Sequence, residues 1–354
     1  MKKIFGQLFL IWLLIAGLAF QKSWAQAERG AISGQVKDAA SGKPLPNVNV
    51  FLANTTLGAA TDKGGFYSIK QVPLGTHELF ASLIGYQVEK RTVRLVEAKD
   101  FRVELSLQAK ALELGEVEVV AAQPREWKKN LKKFEELFWG NSYDTEACKI
   151  LNPEVLDFAF EKEPKSFVTT ASQPMQIENK KLGYRAQFLI EDFRYYIDED
   201  KIGYAFIPKF DELLPANAAE EKRWQADRQK AYRGSLRHFL VALIANRLEE
   251  EGFILYSLAV PPWENKEVRR VAADFDELLS PGTLSTEREL HFRGCLEIFY
   301  TPERGDNQVS WIVASRESVT VNASGYIYDG YAVTVYGQWF YQRAAEMLPR
   351  DYQP

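Results

Sequence analysis

The chain of 354 residues contains only three histidines, His77, His238 and His291. A catalytic zinc ion is commonly held by three protein ligands, of which histidines and a carboxylate are the usual set. The three histidines stand in the contexts HELFA, HFLVA and HFRGC, so neither an HxxE nor an HExxH pattern is present. The sequence therefore predicts no metal site, no cofactor and no carboxypeptidase activity.

One serine and one histidine lie close enough in sequence to be weighed as a nucleophile and its base. Ser235 and His238 are three positions apart and would share one face of a helix. The surrounding sequence is not the GxSxG of a nucleophile elbow, and no orienting acid can be named. The alternative is that Ser235 caps a helix and His238 is a structural histidine. We predict no catalytic residue and retain these two as the candidates to examine.

Tyr232 and Arg237 flank this pair and are the candidate binding residues, because with His238 they could line a ligand groove. Acidic clusters occur at residues 191–192, 198–200 and 249–251, but none has the DxDxDG spacing of a calcium loop. We interpret them as solvated surface charge. The net charge of −4 offers no basic excess for nucleic acid.

The first 25 residues have the features of a secretory signal peptide. Two lysines precede the apolar run Leu8–Phe20, and small residues stand at the −3 and −1 positions of a cut after Ala25. A cut after Ala27 and an uncleaved anchor helix are the alternatives. Cleavage after Ala25 removes three lysines, giving a net charge of −7, and leaves no transmembrane segment. We expect an exported protein that is periplasmic or associated with the outer membrane.

The two cysteines, Cys148 and Cys295, both lie in the second half of the chain. An exported protein reaches a compartment where disulfides can persist. Their separation in sequence does not decide between a bridge and two buried thiols, and both possibilities stay open.

Short strand-like runs separated by turn residues fill residues 30–121. The stretch Thr61–Ile69 places Asp and Gly residues between two such runs, as a tight turn requires. About seven strands follow one another, the last at Leu114–Ala121, and this spacing favours a β-sandwich.

Four motifs in this region resemble the carboxypeptidase-regulatory-like domain, which is a transthyretin-like, seven-stranded sandwich. They are the opening GxV at Gly34–Val36, the GxPLPxVxV run Gly42–Val50, the turn Thr61–Tyr67 and the IGYQ stretch Ile84–Gln87. The resemblance implies a domain that is not itself catalytic. Such domains stand beside metallocarboxypeptidases, at the front of glycan-importing outer-membrane transporters, or before domains of unknown role.

Residues 123–354 alternate between helical and strand-like patterns, which predicts an α+β domain. Arg125–Trp139 has an apolar stripe at helical spacing, and Glu220–Glu251 is a second helical candidate with an expected break at Gly234. Further predictions are a loop at Pro208–Ala216, a hairpin turn at Asp329-Gly330 and a terminal helix at Gln338–Met347.

Three stretches of this second part resemble the segment that follows the regulatory-like domain in many exported bacterial proteins of unknown function. These are Cys148–Phe158, Ala231–Leu243 and Trp339–Pro354. We therefore divide the chain into a signal peptide (1–25), a carboxypeptidase-regulatory-like β-sandwich (26–122) and an α+β domain of unknown function (123–354).

The sequence favours an exported, non-enzymatic binding or scaffolding protein of the cell envelope, in the setting of nutrient uptake. An envelope protein or a glycan is the partner class, and nucleic acid is not. Two alternatives remain: a hydrolase that uses Ser235 and His238, and a glycan-binding or small-ligand-binding protein that uses its many aromatic residues.

Overall fold

The computed structural model describes residues 28–110, 125–140, 147–302 and 305–354. The predicted signal peptide (1–25) and the predicted strand Leu114–Ala121 lie outside these ranges. The described chain is mostly β and forms several sheets. Within it, no helix is long and apolar enough to cross a membrane.

The first region is a sandwich of two sheets. One sheet has the order β4-β1-β7, with β8 also pairing with β1, and the other has the order β3-β2-β5-β6. Alternating side chains of both sheets, among them Ile32, Val50 and Leu79, are buried between them. This is the sandwich-like fold that the sequence predicts. The strands are β1 Arg29–Asp38, β2 Asn49–Leu52, β3 Gly58–Ala60, β4 Phe66–Pro73, β5 Gly75–Ser82, β6 Glu89–Leu95, β7 Asp100–Arg102 and β8 Leu105–Leu107.

The turn before β4 is fixed by one carboxylate and one glycine. The Asp62 side chain accepts hydrogen bonds from the backbone N–H groups of Gly64 (2.8 Å) and Phe66 (2.9 Å). Gly65 has φ of +74°, and a Cβ atom there would lie 2.6 Å from the Val36 carbonyl oxygen. Only glycine therefore lets β4 leave the turn so close to β1.

The second region begins with a helix packed on a six-stranded sheet of order β10-β11-β13-β12-β9, with β14 pairing with β13. The helical stripe Phe134 and Phe138 is buried with Phe167, Phe188 and Phe193 in one core. The predicted helix has the observed bounds. These elements are α1 Arg125–Trp139, β9 Cys148–Ile150, β10 Leu156–Lys162, β11 Lys165–Ala171, β12 Met175–Asn179, β13 Tyr184–Tyr196 and β14 Lys201–Glu212.

A third group of elements forms a five-stranded sheet of order β16-β15-β19-β20-β22 and a three-stranded sheet of order β17-β18-β21. The helix α3 lies against both, and Phe239, Leu240 and Leu243 are buried there. These elements are α2 Ala218–Tyr232, α3 Leu236–Ile244, β15 Phe253–Leu258, β16 Val271–Ala272, α4 Phe275–Leu278, β17 Leu279–Pro281, β18 Glu287–Leu290, β19 Cys295–Tyr300, β20 Gln308–Ala314, β21 Val319–Asn322, β22 Val333–Gly337 and α5 Gln338–Tyr341.

The predicted break at Gly234 is confirmed. Gly234 has φ of +74°, and a Cβ atom there would lie 2.6 Å from the Tyr300 ring. Both the left-handed backbone and the close approach require glycine, so α2 ends before it and α3 begins after it. The second helix ends at Ile244 rather than at residue 251.

Three other local predictions are wrong. Residues 208–212 are not a loop, because they complete β14 and pair with β13, with Phe210 opposite Ala186. Asp329-Gly330 does not close a hairpin: Gly330–Ala332 is a 3₁₀ turn, and β22 pairs with β20 instead. The terminal helix is only Gln338–Tyr341, followed by the 3₁₀ turn Ala344–Glu346. In each case a long-range pairing or contact overrides the local signal.

The sandwich packs directly on the second region. Phe51, Ala53 and Phe80, on the outer side of the β2–β5 pair, form a small buried cluster with Ile207 of β14. The chain after β2 also pairs with the end of β14: the Asn54 N–H donates to the Pro208 carbonyl oxygen (2.7 Å), and the Phe210 N–H donates to that of Thr55 (3.0 Å). The two regions therefore share backbone hydrogen bonds as well as an apolar contact.

Candidate functional site

Ser235 is the N-cap of α3. Its hydroxyl oxygen accepts a hydrogen bond from the backbone N–H of His238 at 3.1 Å. This satisfies one of the N–H groups that the first turn of a helix leaves without an intrahelical partner.

Both ring nitrogens of His238 have partners other than Ser235. Nδ1 accepts a hydrogen bond from the Gly234 N–H (3.0 Å), which places the ring proton on Nε2, where it is donated to Glu251 (3.2 Å). The ring is 5 % exposed and packs against Tyr232, Phe253 and Tyr300. Burial lowers the pKa of His238, although the Glu251 carboxylate opposes that shift. The imidazole therefore has a carboxylate partner in Glu251, but its other nitrogen binds the Gly234 backbone rather than a nucleophilic side chain.

Arg237 holds the C-terminal tail, residues 349–352. Its guanidinium donates to the backbone carbonyls of Pro349 (2.9 Å), Arg350 (2.8 Å) and Tyr352 (2.7 Å), and to that of Ser324 (3.0 Å). Burial lowers its pKa. A planar fork of five donors suits this task, and four of them are engaged.

Tyr232 completes this cluster from α2. Its ring is 7 % exposed and contacts His238, Arg237 and Tyr352. The structure therefore brings all four predicted candidates together, but as a packed junction between α2, α3 and the tail.

The tail in turn holds the sandwich. The Arg350 N–H donates to the Asn54 carbonyl oxygen (2.6 Å), and the Asp351 carboxylate accepts from the backbone N–H and the hydroxyl of Thr56. The Arg350 guanidinium lies over the Tyr326 ring at 4.7 Å. A second link joins the Thr76 hydroxyl to Glu287 (2.8 Å). Arg237, the tail and the sandwich thus form one continuous chain of contacts.

A second serine–histidine pair, which sequence spacing does not reveal, lies elsewhere. The Ser280 hydroxyl and His291 Nε2 are 2.8 Å apart. His291 also lines a cavity of about 440 Å³ with Asp274, Glu277 and Arg293. A nucleophile and a base within hydrogen-bond reach need a third group that orients the base. No hydrogen bond to His291 Nδ1 is found in the described part of the chain.

The outer face of the five-stranded sheet carries aromatic side chains that are in part exposed. Tyr256, Glu297, Trp311 and Tyr336 are directly opposite one another on β15, β19, β20 and β22. We call these four residues the outer-face row. Trp263, from the segment between β15 and β16, lies on this row and is 47 % exposed. Sequence reasoning did not single out any of these residues.

In the part of the chain that the structure describes, metal-ligating side chains and thiols form no further site. Among the described residues, no group of three or more His, Cys, Asp or Glu side chains could hold a metal ion. Cys148 on β9 and Cys295 on β19 are both buried, in different sheets. Burial raises the pKa of the Cys295 thiol to about 12, with the Glu297 carboxylate adding to the shift, so this thiol is not a reactive thiolate at neutral pH.

Comparison with known proteins assigns the sandwich. Residues 32–119 match the model of the CarboxypepD_reg-like domain. This part of the chain is a carboxypeptidase-regulatory-like domain. The chain is also 33 % identical over 116 residues to the TonB-dependent receptor P39 of Formosa agariphila, a match that covers 32 % of this chain and 10 % of the receptor. The chain thus spans about a tenth of the length of that relative.

Solved structures add no argument. A putative carbohydrate-binding protein from Bacteroides uniformis is 7 % identical, with 52 % of this chain and 99 % of that chain covered and a TM-score of 0.20. A putative membrane-associated protein of unknown function from Bacteroides fragilis is 12 % identical, with 88 % and 95 % covered and a TM-score of 0.19. Scores this low do not establish a shared fold.

Proposed function

We propose that this protein is an exported, non-enzymatic binding or scaffolding component of the bacterial cell envelope, placed near an uptake system of the outer membrane. The domains proposed are a signal peptide (1–25), a transthyretin-like sandwich (26–122) and an α+β domain (123–354). The regulatory-like domain and the receptor relative that matches part of this chain support the placement.

One observation carries the non-enzymatic proposal. Ser235, Arg237 and His238, the side chains best spaced for chemistry, each bind the protein's own backbone or side chains. They stabilise the junction that holds the sandwich against the second region. The hydrolase alternative gains no support from this geometry, since the ring nitrogens of His238 bind Gly234 and Glu251 and not the Ser235 hydroxyl.

The surface that a partner would use is the edge strand β6. As far as the described residues go, β6 is the last strand of its sheet, and an edge strand can accept a strand from another protein. It carries Glu89, Lys90, Arg91 and Arg94. Charged side chains on an edge discourage indiscriminate pairing, so a partner strand must be matched in charge.

Site-specific photocrosslinking tests this proposal. A photoreactive residue replaces Arg91 on β6, and a control chain carries it at Lys63 in the turn before β4. The expected result is recovery in the envelope fraction and a crosslink to an outer-membrane protein from position 91 alone. Retention in the cytoplasm would contradict the proposal. Ester or peptide turnover that Ser235→Ala abolishes without unfolding the chain would favour the hydrolase.

A specific observation also favours the second candidate function, which is glycan or small-ligand binding by residues 123–354. Trp263 is exposed and lies on two other aromatic rings of the outer-face row. A cluster of exposed aromatic side chains on one surface is the feature that this candidate requires.

A further inference from the structure

The outer-face row runs straight across four neighbouring strands. Tyr256 pairs with Glu297, Glu297 with Trp311, and Trp311 with Tyr336. The opposite face of the same strands, with Leu296, Ile298 and Ile312, is buried in the core with α3. Since side chains alternate along a strand, the row points away from that core. Four strands at a spacing of about 4.8 Å give the row a span of roughly 14 Å.

Trp263 is held on this row by its own turn and by two rings. The Tyr336 and Trp311 ring centroids lie 4.4 Å and 5.9 Å from the Trp263 ring. The turn is closed by hydrogen bonds from the N–H groups of Glu264 (3.0 Å) and Asn265 (3.2 Å) to the Pro261 carbonyl oxygen. The exposed part of the indole is therefore positioned in advance of any ligand, which reduces the ordering cost of binding.

The middle of the row is polar. Glu297 is 1 % exposed, and its carboxylate accepts from Arg270 Nη2 (2.9 Å) and Nε and from the Trp311 indole N–H (3.1 Å). The Arg270 side chain itself is 51 % exposed. A guanidinium has five N–H donors, and this pair uses two of them. The surface thus combines flat aromatic rings with a fixed hydrogen-bond donor between them.

This combination selects among ligand classes. A protein partner with an apolar surface would have to bury the half-exposed Arg270 guanidinium, and desolvation makes that costly. Burial raises the pKa of Tyr336 and the nearby Glu264 carboxylate adds to the shift, so a phosphate-bearing ligand would meet a negative charge at this end of the row. A neutral sugar presents C–H groups on the faces of its ring and hydroxyl groups at its edges. It can stack on the aromatic rings and bind the guanidinium with its hydroxyl oxygens.

We infer that the outer-face row, together with Trp263 and Arg270, is a binding site for a neutral carbohydrate chain. The inference rests on the second of the functions proposed above and specifies its surface and its ligand class. A span of roughly 14 Å suits a short run of linked sugar rings, with one ring on Trp263 and another near Tyr256.

Native affinity electrophoresis of the purified chain provides the test. Gels contain one neutral polysaccharide each: laminarin, starch, xylan or galactomannan. We expect retardation by at least one of them, and a tenfold or larger loss of affinity in Trp263→Ala, the loss that removal of a stacking ring produces elsewhere. Trp263→Phe keeps a ring and should recover most of the affinity. The matched control is Phe66→Ala, which removes a ring of similar exposure (50 %) from the sandwich and should bind as the unaltered chain does.

Three results would overturn the inference. They are retardation by none of the four polysaccharides, equal affinity of Trp263→Ala and the unaltered chain, and self-association in light scattering that Trp263→Ala removes. The last result would make the row an interface between two copies of this chain. Failure here is distinguishable from failure of the envelope proposal, because crosslinking from β6 does not depend on the outer-face row.

Discussion

Two clusters in the second region combine aromatic rings with an arginine and a glutamate, yet they differ in access. The junction around α3 contains Arg237, His238 and Glu251, and its polar groups bind other parts of the chain. The outer-face row contains Glu297, which binds Arg270, and the Arg270 guanidinium and the neighbouring Trp263 remain half exposed. Similar side chains therefore stabilise the fold at the junction and are available to a ligand at the outer-face row.

The two arginines, Arg237 and Arg270, show which observations separate a structural arginine from one that can bind a ligand. Four of the five donors of Arg237 bind backbone carbonyls in a partly buried site. Arg270 binds one carboxylate in bidentate fashion and lies at the surface. Residue type cannot distinguish the two, whereas the partners and the exposure do.

The largest effect should come from Arg237→Met, which keeps an unbranched apolar stem but removes every donor. Four backbone carbonyls would lose the guanidinium, and of these that of Pro349 keeps another donor, the Tyr352 N–H. We therefore expect a loss of about 4 kcal/mol in the free energy of unfolding. Urea unfolding monitored by circular dichroism measures it. Arg316→Ala, which removes an ion pair at the surface, is the control and should change stability by about 0.5 kcal/mol or less. A stable Arg237→Met chain would show that the junction does not hold the molecule together.

Local features of the fold were predictable where residues adjacent in sequence determine the backbone conformation. The turn at Asp62–Gly65, the bounds of α1 and the break at Gly234 are each indicated in the sequence by residues within a few positions of each other. The candidate pair Ser235 and His238 was found for the same reason, because it is close in sequence.

Long-range arrangements were not predictable. The outer-face row unites strands that begin at residues 253, 295, 308 and 333, and no spacing rule connects them. The stretch Pro208–Ala216 is predicted as a loop from its local sequence, but the pairing of its first residues with β13 and with Asn54 decides the structure. The hydrogen bonds between Arg237 and the tail have backbone carbonyls as acceptors, and these are present in every residue, so the sequence does not indicate them.

Acid should destabilise the protein through His77, a second buried histidine. Its Nε2–H donates to the Pro73 carbonyl oxygen (2.7 Å). Burial, with the nearby Arg350 charge adding to it, lowers the pKa from 6.5 to about 4. Between pH 6.5 and pH 4 the histidine is therefore protonated in the unfolded chain and neutral in the folded chain. The free energy of unfolding should fall by about 3 kcal/mol as the pH drops from above 6.5 to 4.

Urea unfolding between pH 7 and pH 4 measures this dependence. His77→Gln keeps an N–H donor and removes the titration, so its stability should fall less steeply with acid. His238 is also buried with a lowered pKa and retains its own part of the slope in that variant. Equal slopes in the variant and the unaltered chain would exclude His77 as a source of acid sensitivity. This variant also tests whether a buried, hydrogen-bonded histidine contributes to stability in the sandwich as His238 does in the junction.

The contacts between the tail and the sandwich should contribute less to the free energy of unfolding than the hydrogen bonds that Arg237 donates to the tail. Arg350→Ala removes the side-chain contacts with Tyr326 and Ser324 (Nε to Oγ, 3.2 Å) but keeps the backbone bond to Asn54. We expect a loss of about 2 kcal/mol. In calorimetry the sandwich and the second region should then unfold in more clearly separated transitions. Arg102→Ala on β7, an exposed arginine in the other sheet of the sandwich, is the control, and a single unchanged transition in Arg350→Ala would show that the backbone contacts suffice.

The smallest effect should come from Ser235→Ala, which also separates the two interpretations of the junction most directly. If Ser235 is only a cap, its loss leaves one N–H group of α3 without its partner and lowers stability by about 1 kcal/mol. Ser235→Asp restores an acceptor at the N-cap, where a negative charge is favourable, and should recover that loss. A hydrolase would respond differently, because an aspartate in place of the nucleophile cannot form the same acyl intermediate. Recovery of stability by Ser235→Asp, with no change in glycan retardation, would place Ser235 in the junction alone. Stability that is the same in all three chains would mean that the hydroxyl does not cap the helix.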